Sequence, residues 1–330
     1  MMVRGAKLAG LGSYVPDRIL TNADLEKMVD TTDEWIVSHT GMKERHIAAP
    51  EQATSDLALA AARRALDDAQ LSPDDLDLVI CATVTPDYSF PSTASLIQGG
   101  LGATKAGAFD LLIGCTGFLY ALSAASGYIM AGLCNNVLVV AAETLSRIVN
   151  WEDRATCVLF GDGAGAAVLS AAKPGHGFLS FALWSDGLNS QYLTVPAGGS
   201  RRPIGVQDLQ DKANFLYMEG HEVFKLAVRG CPEVAEAAIK QAGLSNRDID
   251  WAVMHQANKR IIDAAARRLE LPESHVFCNV ERYGNTSAAS IPLALDDLYR
   301  AGELRSGQRL LLVAFGAGFS LASSVLEWTK

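Results

Sequence analysis

A chain of 330 residues, 49% hydrophobic and 20% charged, carries enough apolar material for a large core, arranged as two domains or one double-sized one. A formal net charge of −9 argues against nucleic acid as a general partner, and an acidic protein partner needs a local basic patch. The opening MMVRGAKLAGLGSYVP lacks the apolar core of a secretion signal, which points to the cytoplasm; six scattered cysteines without a C-x-x-C pair indicate neither a disulfide framework nor a zinc site.

The predicted elements are mixed α/β throughout. Val3 to Leu11 reads as a first strand, ended by Gly12 and the Val15-Pro16 turn. Thr21-Asn22 caps a helix carrying Leu25, Met28 and Val29. Asp33 to Ile36 begins a second short helical segment, followed by a Gly41 turn into Lys43-Glu44-Arg45-His46. Thr54-Ser55 precedes an alanine-rich amphipathic helix through Ala69, Leu76 to Thr83 is a buried strand, and Pro86 to Pro91 is a loop. Asp110 to Ile113 reads as a short buried strand. Gly114-Cys115-Thr116-Gly117 punctuates it, and Phe118 through Met130 reads as a helix without charge on any face. No charged residue occurs between Leu111 and Ala142, which places this helix in the middle of the molecule. Gly127, Gly132 and Asn135-Asn136 break the run into pieces too short to span a membrane. Asn136 to Ala142 is another Val/Leu strand, and the polar stretch from Ala197 to Asp211 is the expected domain boundary or exposed excursion.

Two internal echoes organise these elements. Residues 65–80 (ALDDAQLSPDDLDLVI) and 238–253 (AIKQAGLSNRDIDWAV) share Ala, Ala, Leu, Ser, Asp and Asp in register. Phe160-Gly161-Asp162-Gly163, leading to Val168-Leu169, is matched by Phe315-Gly316-Ala317-Gly318, leading to Val325-Leu326. Two echoes in the same order predict a duplicated α/β unit with pseudo-twofold symmetry, one copy per half, 1–173 and 174–330. Active sites of such proteins sit where the halves meet, so partners for a first-half residue are sought in the second half.

Cys115 is the first-half candidate. A glycine turn from strand to helix puts it at a helix N-terminus, where free N–H groups and the macrodipole favour thiolate, the reactive form. A buried cysteine serving only as a small hydrophobe is the competing reading. His255, in Met254-His255-Gln256-Ala257-Asn258, is the only one of six histidines preceded by a buried apolar strand. Asn285 lies in a glycine-flanked polar turn, Tyr283-Gly284-Asn285-Thr286-Ser287, before an apolar helix. Taken singly, these two read as a hydrogen-bonded structural histidine and an ordinary helix cap. Together the three suit acyl transfer: a thiolate attacks a carbonyl while imidazole and carboxamide donors stabilise the oxygen that becomes negative. No acidic third member is evident, which disfavours a hydrolytic triad. The Phe315-Gly316-Ala317-Gly318-Phe319 turn could aim a backbone N–H at the same oxygen. Gly161-Asp162-Gly163-Ala164-Gly165 lacks the Lys-Ser/Thr of a P-loop and reads as a tight turn.

GCTGFLYAL around Cys115, HQAN at His255 and GNTSAAS at Asn285 resemble the β-ketoacyl-acyl carrier protein synthase III enzymes of the thiolase superfamily. TNADLEKMVDTTDEWI, FGDGAGAAVL and FGAGF extend the resemblance over essentially the whole chain. The resemblance implies a homodimeric thiolase-like fold, layered α-β-α-β-α, and a ping-pong condensation without a permanently bound cofactor. Cys115 would take an acyl group, commonly acetyl, from acyl-coenzyme A. Malonyl-acyl carrier protein would then lose carbon dioxide and attack the acyl-enzyme. His255 and Asn285 would hold the malonyl thioester oxygen, and the backbone N–H groups of Cys115 and Ala317 would form the other oxyanion hole. Trp35 and Arg154 match the pair that sandwiches the coenzyme A adenine, and Phe90 matches the residue that reaches into the partner subunit's acyl pocket. Gln256, Ala257, Asn258, Lys259 and Arg260 match the carrier-binding segment, which Lys225 extends. By spacing, Arg260, Arg267 and Arg268 share one face of the helix after His255.

Four positions depart from the family pattern. His39 stands where arginine is usual, Ala317 replaces a frequent glycine, and Ile113 and Gly114 replace small alanines. They leave the reaction class intact and put primer choice in question. Alternatives are a condensing enzyme or acyltransferase of secondary metabolism with an unusual primer, and a non-catalytic acyl-carrier or coenzyme A-binding protein. The intact cysteine argues against the latter.

Overall fold

The computed structural model describes residues 4–330, so Val3, the expected start of the first strand, lies outside the described residues. Strands β1 (Gly5–Tyr14), β2 (Leu78–Ala82), β3 (Gly107–Leu111), β4 (Asn136–Glu143) and β5 (Gly163–Ala172) form one sheet in the order β1-β5-β4-β2-β3. Strands β6 (Phe178–Ser185), β7 (Trp251–Met254), β8 (Val276–Phe277), β9 (Arg309–Gly316) and β10 (Ser320–Glu327) form a second, ordered β6-β10-β9-β7-β8. The two orders are the same when β1 to β5 are matched with β6 to β10. The pairing directions match as well: β1-β5 and β5-β4 are antiparallel, β4-β2 and β2-β3 parallel, and each has its counterpart in the second sheet.

The helices repeat the correspondence. α1 (Thr54–Ala69), α2 (Thr93–Leu101) and α3 (Gly117–Met130) occupy the chain positions taken later by α4 (Gly220–Gln241), α5 (Lys259–Arg268) and α6 (Ser290–Arg300). The layers follow from strand alternation. In β9, Leu310, Leu312 and Ala314 face a central core with Leu119, Leu122, Ile291 and Leu295 of α3 and α6. Leu311, Val313 and Phe315 face the other way, onto Val234, Ala238, Ile262 and Ala265 of α4 and α5. A third core places α1 and α2 on the outer face of the first sheet. The order is therefore α-β-α-β-α, and strands covered on both faces read as near-continuous apolar runs.

The sequence echo between 65–80 and 238–253 is one structural unit used twice, a helix, a 3-10 turn and a parallel strand. Its shared Ser and Asp make the same contact in each copy: Ser72 Oγ donates to Asp75 at 2.7 Å, and Ser245 Oγ to Asp248 at 2.7 Å.

Three local expectations need correction. β1 does not stop at Gly12 but runs to Tyr14, pairing Gly12 with Ala166. A Cβ on Gly12 would come within 2.4 Å of the Ala65 backbone, so this glycine lets α1 lie against the strand rather than ending it. The helix after Thr21 closes at Leu25 and does not reach Met28 or Val29. The strand before Cys115 is an edge strand, half-buried rather than buried, and Leu112 beyond it is 74% exposed. The stretch from 197 to 211 is an exposed excursion with a short helix, Val206–Gln210. No helix among the described residues is long and apolar enough to cross a membrane.

Candidate active site

Cys115, His255 and Asn285 follow the C-terminal ends of β3, β7 and β8, the end at which open α/β sheets bind ligands. The fold brings all three to one narrow cavity of about 80 Å³, walled also by Phe160, Phe224, Phe315 and Gly316.

Cys115 sits in the middle of a 3-10 turn, Gly114–Thr116, that feeds directly into α3. Gly114 has φ +65°, a conformation that glycine adopts without strain. Gly316 makes the approach from the second half possible: a Cβ there would stand 2.7 Å from the Cys115 nitrogen. Thr116 Oγ1 is 2.9 Å from Ser320 Oγ, which donates to the Ala317 carbonyl at 2.8 Å, so the two loops are tied together. Ala317 lies beside the cysteine turn, and its N–H and methyl are both 3.2 Å from where a Cβ on Gly114 would be. Two departures from the family pattern thus meet, with the absent methyl at 114 leaving room for the one at 317.

The expectation of a resting thiolate needs correction. Burial pushes the Cys115 thiol up to about 12, against the downward pull of the Ser287 hydroxyl and the residue's own backbone N–H. In so buried a position the thiol is the resting form, and its proton has to leave as the acyl group arrives.

His255 continues β7 by donating its N–H to the Val313 carbonyl at 2.8 Å. Its ring is 2% exposed and edge-on to Phe315, with centroids 5.2 Å apart. Burial lowers its pKa to about 3, so the ring is neutral through the physiological range. Nδ1 lies 2.6 Å from Ser290 Oγ, whereas Nε2 is buried with no partner among the described residues. Asn285 is held by its backbone, which donates to Leu159 O at 2.8 Å and accepts from Gly161 N at 3.1 Å. Its side-chain oxygen accepts the Ser287 N–H at 2.8 Å, which leaves the amide NH₂ as the free end. The site therefore brings one thiol, one neutral imidazole and one carboxamide to a single cavity.

Sequence reasoning missed four members of this neighbourhood. Glu143, at the end of β4, is fully buried and accepts from Thr85 Oγ1 at 2.8 Å, Val84 N at 3.1 Å and Thr83 Oγ1 at 3.2 Å. Burial raises its pKa to about 7. Ser287, Ser290 and Gly316 are the others. A carboxylate closing an apolar strand (NVLVVAAE) was the available signal for Glu143.

The outlying candidates divide. The Arg154 guanidinium lies over the Trp35 indole at 4.2 Å, and His39 stacks on the same ring at 4.4 Å while donating Nδ1–H to the Trp35 carbonyl at 2.7 Å. Phe90 is 86% exposed, on the loop preceding α2. Lys259, Arg260, Arg267 and Arg268 are exposed on α5, and Lys225 on α4 bonds Glu222 at 2.9 Å. Gln256 is corrected as a docking residue: it is 1% exposed, donates to Met254 O at 2.7 Å and accepts from Asn279 N at 3.0 Å. Asn258 caps α5 through Arg260 N at 2.8 Å and donates to His39 O at 3.0 Å. Gln256 therefore holds the loop from inside, while Asn258 is half-buried at the helix start.

A duplicated α-β-α-β-α scaffold with cysteine, histidine and asparagine at its central cavity defines a thiolase-fold condensing acyltransferase. Residues 109–187 match the family described as 3-oxoacyl-[acyl-carrier-protein (ACP)] synthase III, and residues 239–328 match its C-terminal family. The chain is 54% identical over 325 residues to a β-ketoacyl-[acyl-carrier-protein] synthase III of Caldanaerobacter subterraneus subsp. tengcongensis, covering 98% of each chain. It superposes on the crystal structure of 3-oxoacyl-[acyl-carrier-protein] synthase III from Aquifex aeolicus VF5 with TM-score 0.92 at 43% identity, covering 98% of this chain and 100% of that one. The corresponding Thermus thermophilus structure gives TM-score 0.91 at 49% identity, covering 98% and 99%. The protein belongs to the β-ketoacyl-acyl carrier protein synthase III family.

Proposed function

We propose that the protein initiates fatty acid synthesis by condensing an acyl-coenzyme A primer, acetyl-coenzyme A first among them, with malonyl-acyl carrier protein to give 3-oxoacyl-carrier protein. The observation that carries this reading is the unpartnered, buried Nε2 of a neutral His255 in the cavity that also holds Cys115 and Asn285. Loss of carbon dioxide from a malonyl thioester needs hydrogen-bond donors on the thioester oxygen, and a neutral imidazole and a carboxamide supply them without a strong base.

In the first half-reaction the Cys115 sulfur attacks the primer carbonyl, the carbon–sulfur bond to coenzyme A breaks, and the thiol proton leaves with the coenzyme A sulfur. The backbone N–H groups of Cys115 and Ala317 take the carbonyl oxygen. In the second, the malonyl carbon–carboxylate bond breaks and its electron pair passes into the enolate that His255 and Asn285 hold. That carbon attacks the acyl-enzyme and expels the Cys115 thiolate. A pKa of about 12 then draws a proton from solvent onto sulfur and resets the site.

Trp35 and Arg154 receive the coenzyme A adenine. An intervening aromatic plane needs about 7 Å between its neighbours, two van der Waals thicknesses, so Arg154 swings away from the indole on binding. Arg260, Arg267, Arg268, Lys259 and Lys225 form the basic surface for the acidic carrier protein, offsetting the chain's own negative charge. A homodimer is supported by the free edge of β3 and by Phe90 and Leu112, which are 86% and 74% exposed. Asp110 of β3 binds the Thr93 and Ala94 nitrogens at 2.7 Å, fixing the loop that carries Phe90 beside that edge. In this reading Phe90 enters the partner's acyl pocket, 1–173 and 174–330 are the two halves, and the enzyme works in the cytoplasm with no resident cofactor.

A second reading, a priming enzyme of secondary metabolism, draws support from a TM-score of 0.93 at 37% identity to the priming β-ketosynthase of the R1128 polyketide pathway, covering 100% of this chain and 98% of that one. Incubation with a panel of acyl-coenzyme A primers followed by malonyl-carrier protein separates the two. Acetyl transfer to Cys115 by intact mass, with carbon dioxide release, is the expected result. A mass shift only with long or aromatic primers favours the second reading, and no carbon dioxide with any primer removes both.

A further inference from the structure

We infer that Ser290 is a positioning residue that fixes the tautomer of His255; the inference deepens the condensing reading and rests on it for its kinetic consequence. Ser290 is the first residue of α6, 2% exposed, and its hydroxyl lies 2.6 Å from His255 Nδ1. The same oxygen accepts the backbone N–H of Gln256 at 3.3 Å. A serine hydroxyl has a single proton to give. Among the described residues Ser290 Oγ has no hydrogen-bond contact besides these two, and a backbone N–H cannot accept. The proton therefore points at Nδ1. If Nδ1 carried the proton instead, the oxygen would take two N–H bonds, and both its own O–H and the Nε2 lone pair would go unpaired in a buried site, one unsatisfied group more than with the proton on Nε2.

With Nδ1 held as acceptor, the ring proton sits on Nε2, the buried atom without a partner that lines the central cavity. The arrangement converts a backbone feature, the start of α6, into the protonation state that a developing thioester oxygen requires. It also explains why a serine interrupts the apolar run that opens this helix (ASIPLAL). The Gln256 brace completes the unit. Its side chain bonds Met254 O and Asn279 N, which holds the peptide whose N–H orients the Ser290 oxygen.

The test pairs a spectroscopic and a kinetic readout on the full-length protein. ¹⁵N-histidine NMR of the resting wild-type enzyme is expected to show His255 as the Nε2–H tautomer, and Ser290→Ala to show a tautomer mixture. Ser290→Ala is expected to release carbon dioxide from malonyl-carrier protein roughly tenfold more slowly, the loss of about one hydrogen bond, with Cys115 acylation unchanged. Ser290→Thr, which keeps the hydroxyl, is expected to restore the Nε2–H signal. An Nδ1–H tautomer in the wild type, an unchanged tautomer in Ser290→Ala, or parallel loss of acylation and decarboxylation would overturn the inference. The NMR arm needs no substrate. If the wild type releases no carbon dioxide but shows the Nε2–H tautomer and its loss in Ser290→Ala, the condensing reading fails and the positioning role stands.

Discussion

The two halves of the molecule share a scaffold and differ in what they place at its strand ends. After β3 the first half turns through Gly114 into α3 and presents Cys115; after β8 the second half turns through Gly284 into α6 and presents Asn285 and Ser287. Directly after β2 the first half has Thr83, which donates to buried Glu143; directly after β7 the second half has His255, one position out of step with Thr83 in the repeat. In the proposed mechanism one half supplies the nucleophile and the other the neutral donors. The difference lies in a handful of turn residues, because the sheets and helices that aim them are the same in order and direction. A duplicated fold can divide a two-step reaction in this way without altering either core.

Breaking the nucleophile side has the largest expected effect. Cys115→Ala abolishes the acyl adduct seen by intact mass, and a retained adduct would move the nucleophile elsewhere. On the donor side, Asn285→Ala slows carbon dioxide release by about 10²-fold, the scale of one lost oxyanion donor, while the rate of Cys115 acylation by acyl-coenzyme A is kept. Equal loss in both steps would merge the two halves functionally.

Glu143 sharpens the contrast through pH. Its pKa is raised on folding from 4.5 to about 7, so its contribution to stability is full below 4.5 and is lost as pH rises through 7. His255 has the opposite sign, contributing above 6.5 and losing its contribution as pH falls through about 3. Glu143→Gln removes only the first slope. Relative to wild type the variant gains up to ~3 kcal/mol as pH rises from about 4.5 to 8, read from denaturant midpoints. A constant difference across that range would show that the carboxyl titrates as in the unfolded chain.

The smallest effect concerns the contact between the halves at Gly114 and Ala317. Gly114→Ala costs about 1–2 kcal/mol from its positive φ, plus a steric part against the Ala317 methyl. Ala317→Gly recovers only the steric part, giving a coupling of roughly 0.5–1 kcal/mol in a double-mutant cycle of unfolding free energies. Strict additivity would mean that the two residues do not touch.

Much of this arrangement was legible in the residues. The S-x-x-D echo at 72–75 and 245–248 marked the duplicated unit because it is a cap, fixed by local chemistry. Cys115, His255 and Asn285 were legible as motif residues, and their meeting followed from the duplication. What stayed hidden depends on contacts far apart in sequence. Gly12 and Gly316 read as punctuation, whereas each is a point where another backbone comes close. The helix N-terminus favours a thiolate at Cys115, but burial in the closed pocket outweighs it. Gln256 looked like surface beside exposed Lys259 and Arg260, and only the fold turns it inward. Ser290 lies 35 residues from the ring it contacts, and the serine in an apolar run that marks it locally does not say which ring it meets.

The division of labour is tested most directly by one preparation of His255→Ala, measured twice: acyl transfer from acetyl-coenzyme A to Cys115 by intact mass, and carbon dioxide release from malonyl-carrier protein by the pre-acylated enzyme. The account predicts acylation within about threefold of wild type and release slowed by 10²-fold or more. Acylation lost together with release, or release unaffected, would contradict it.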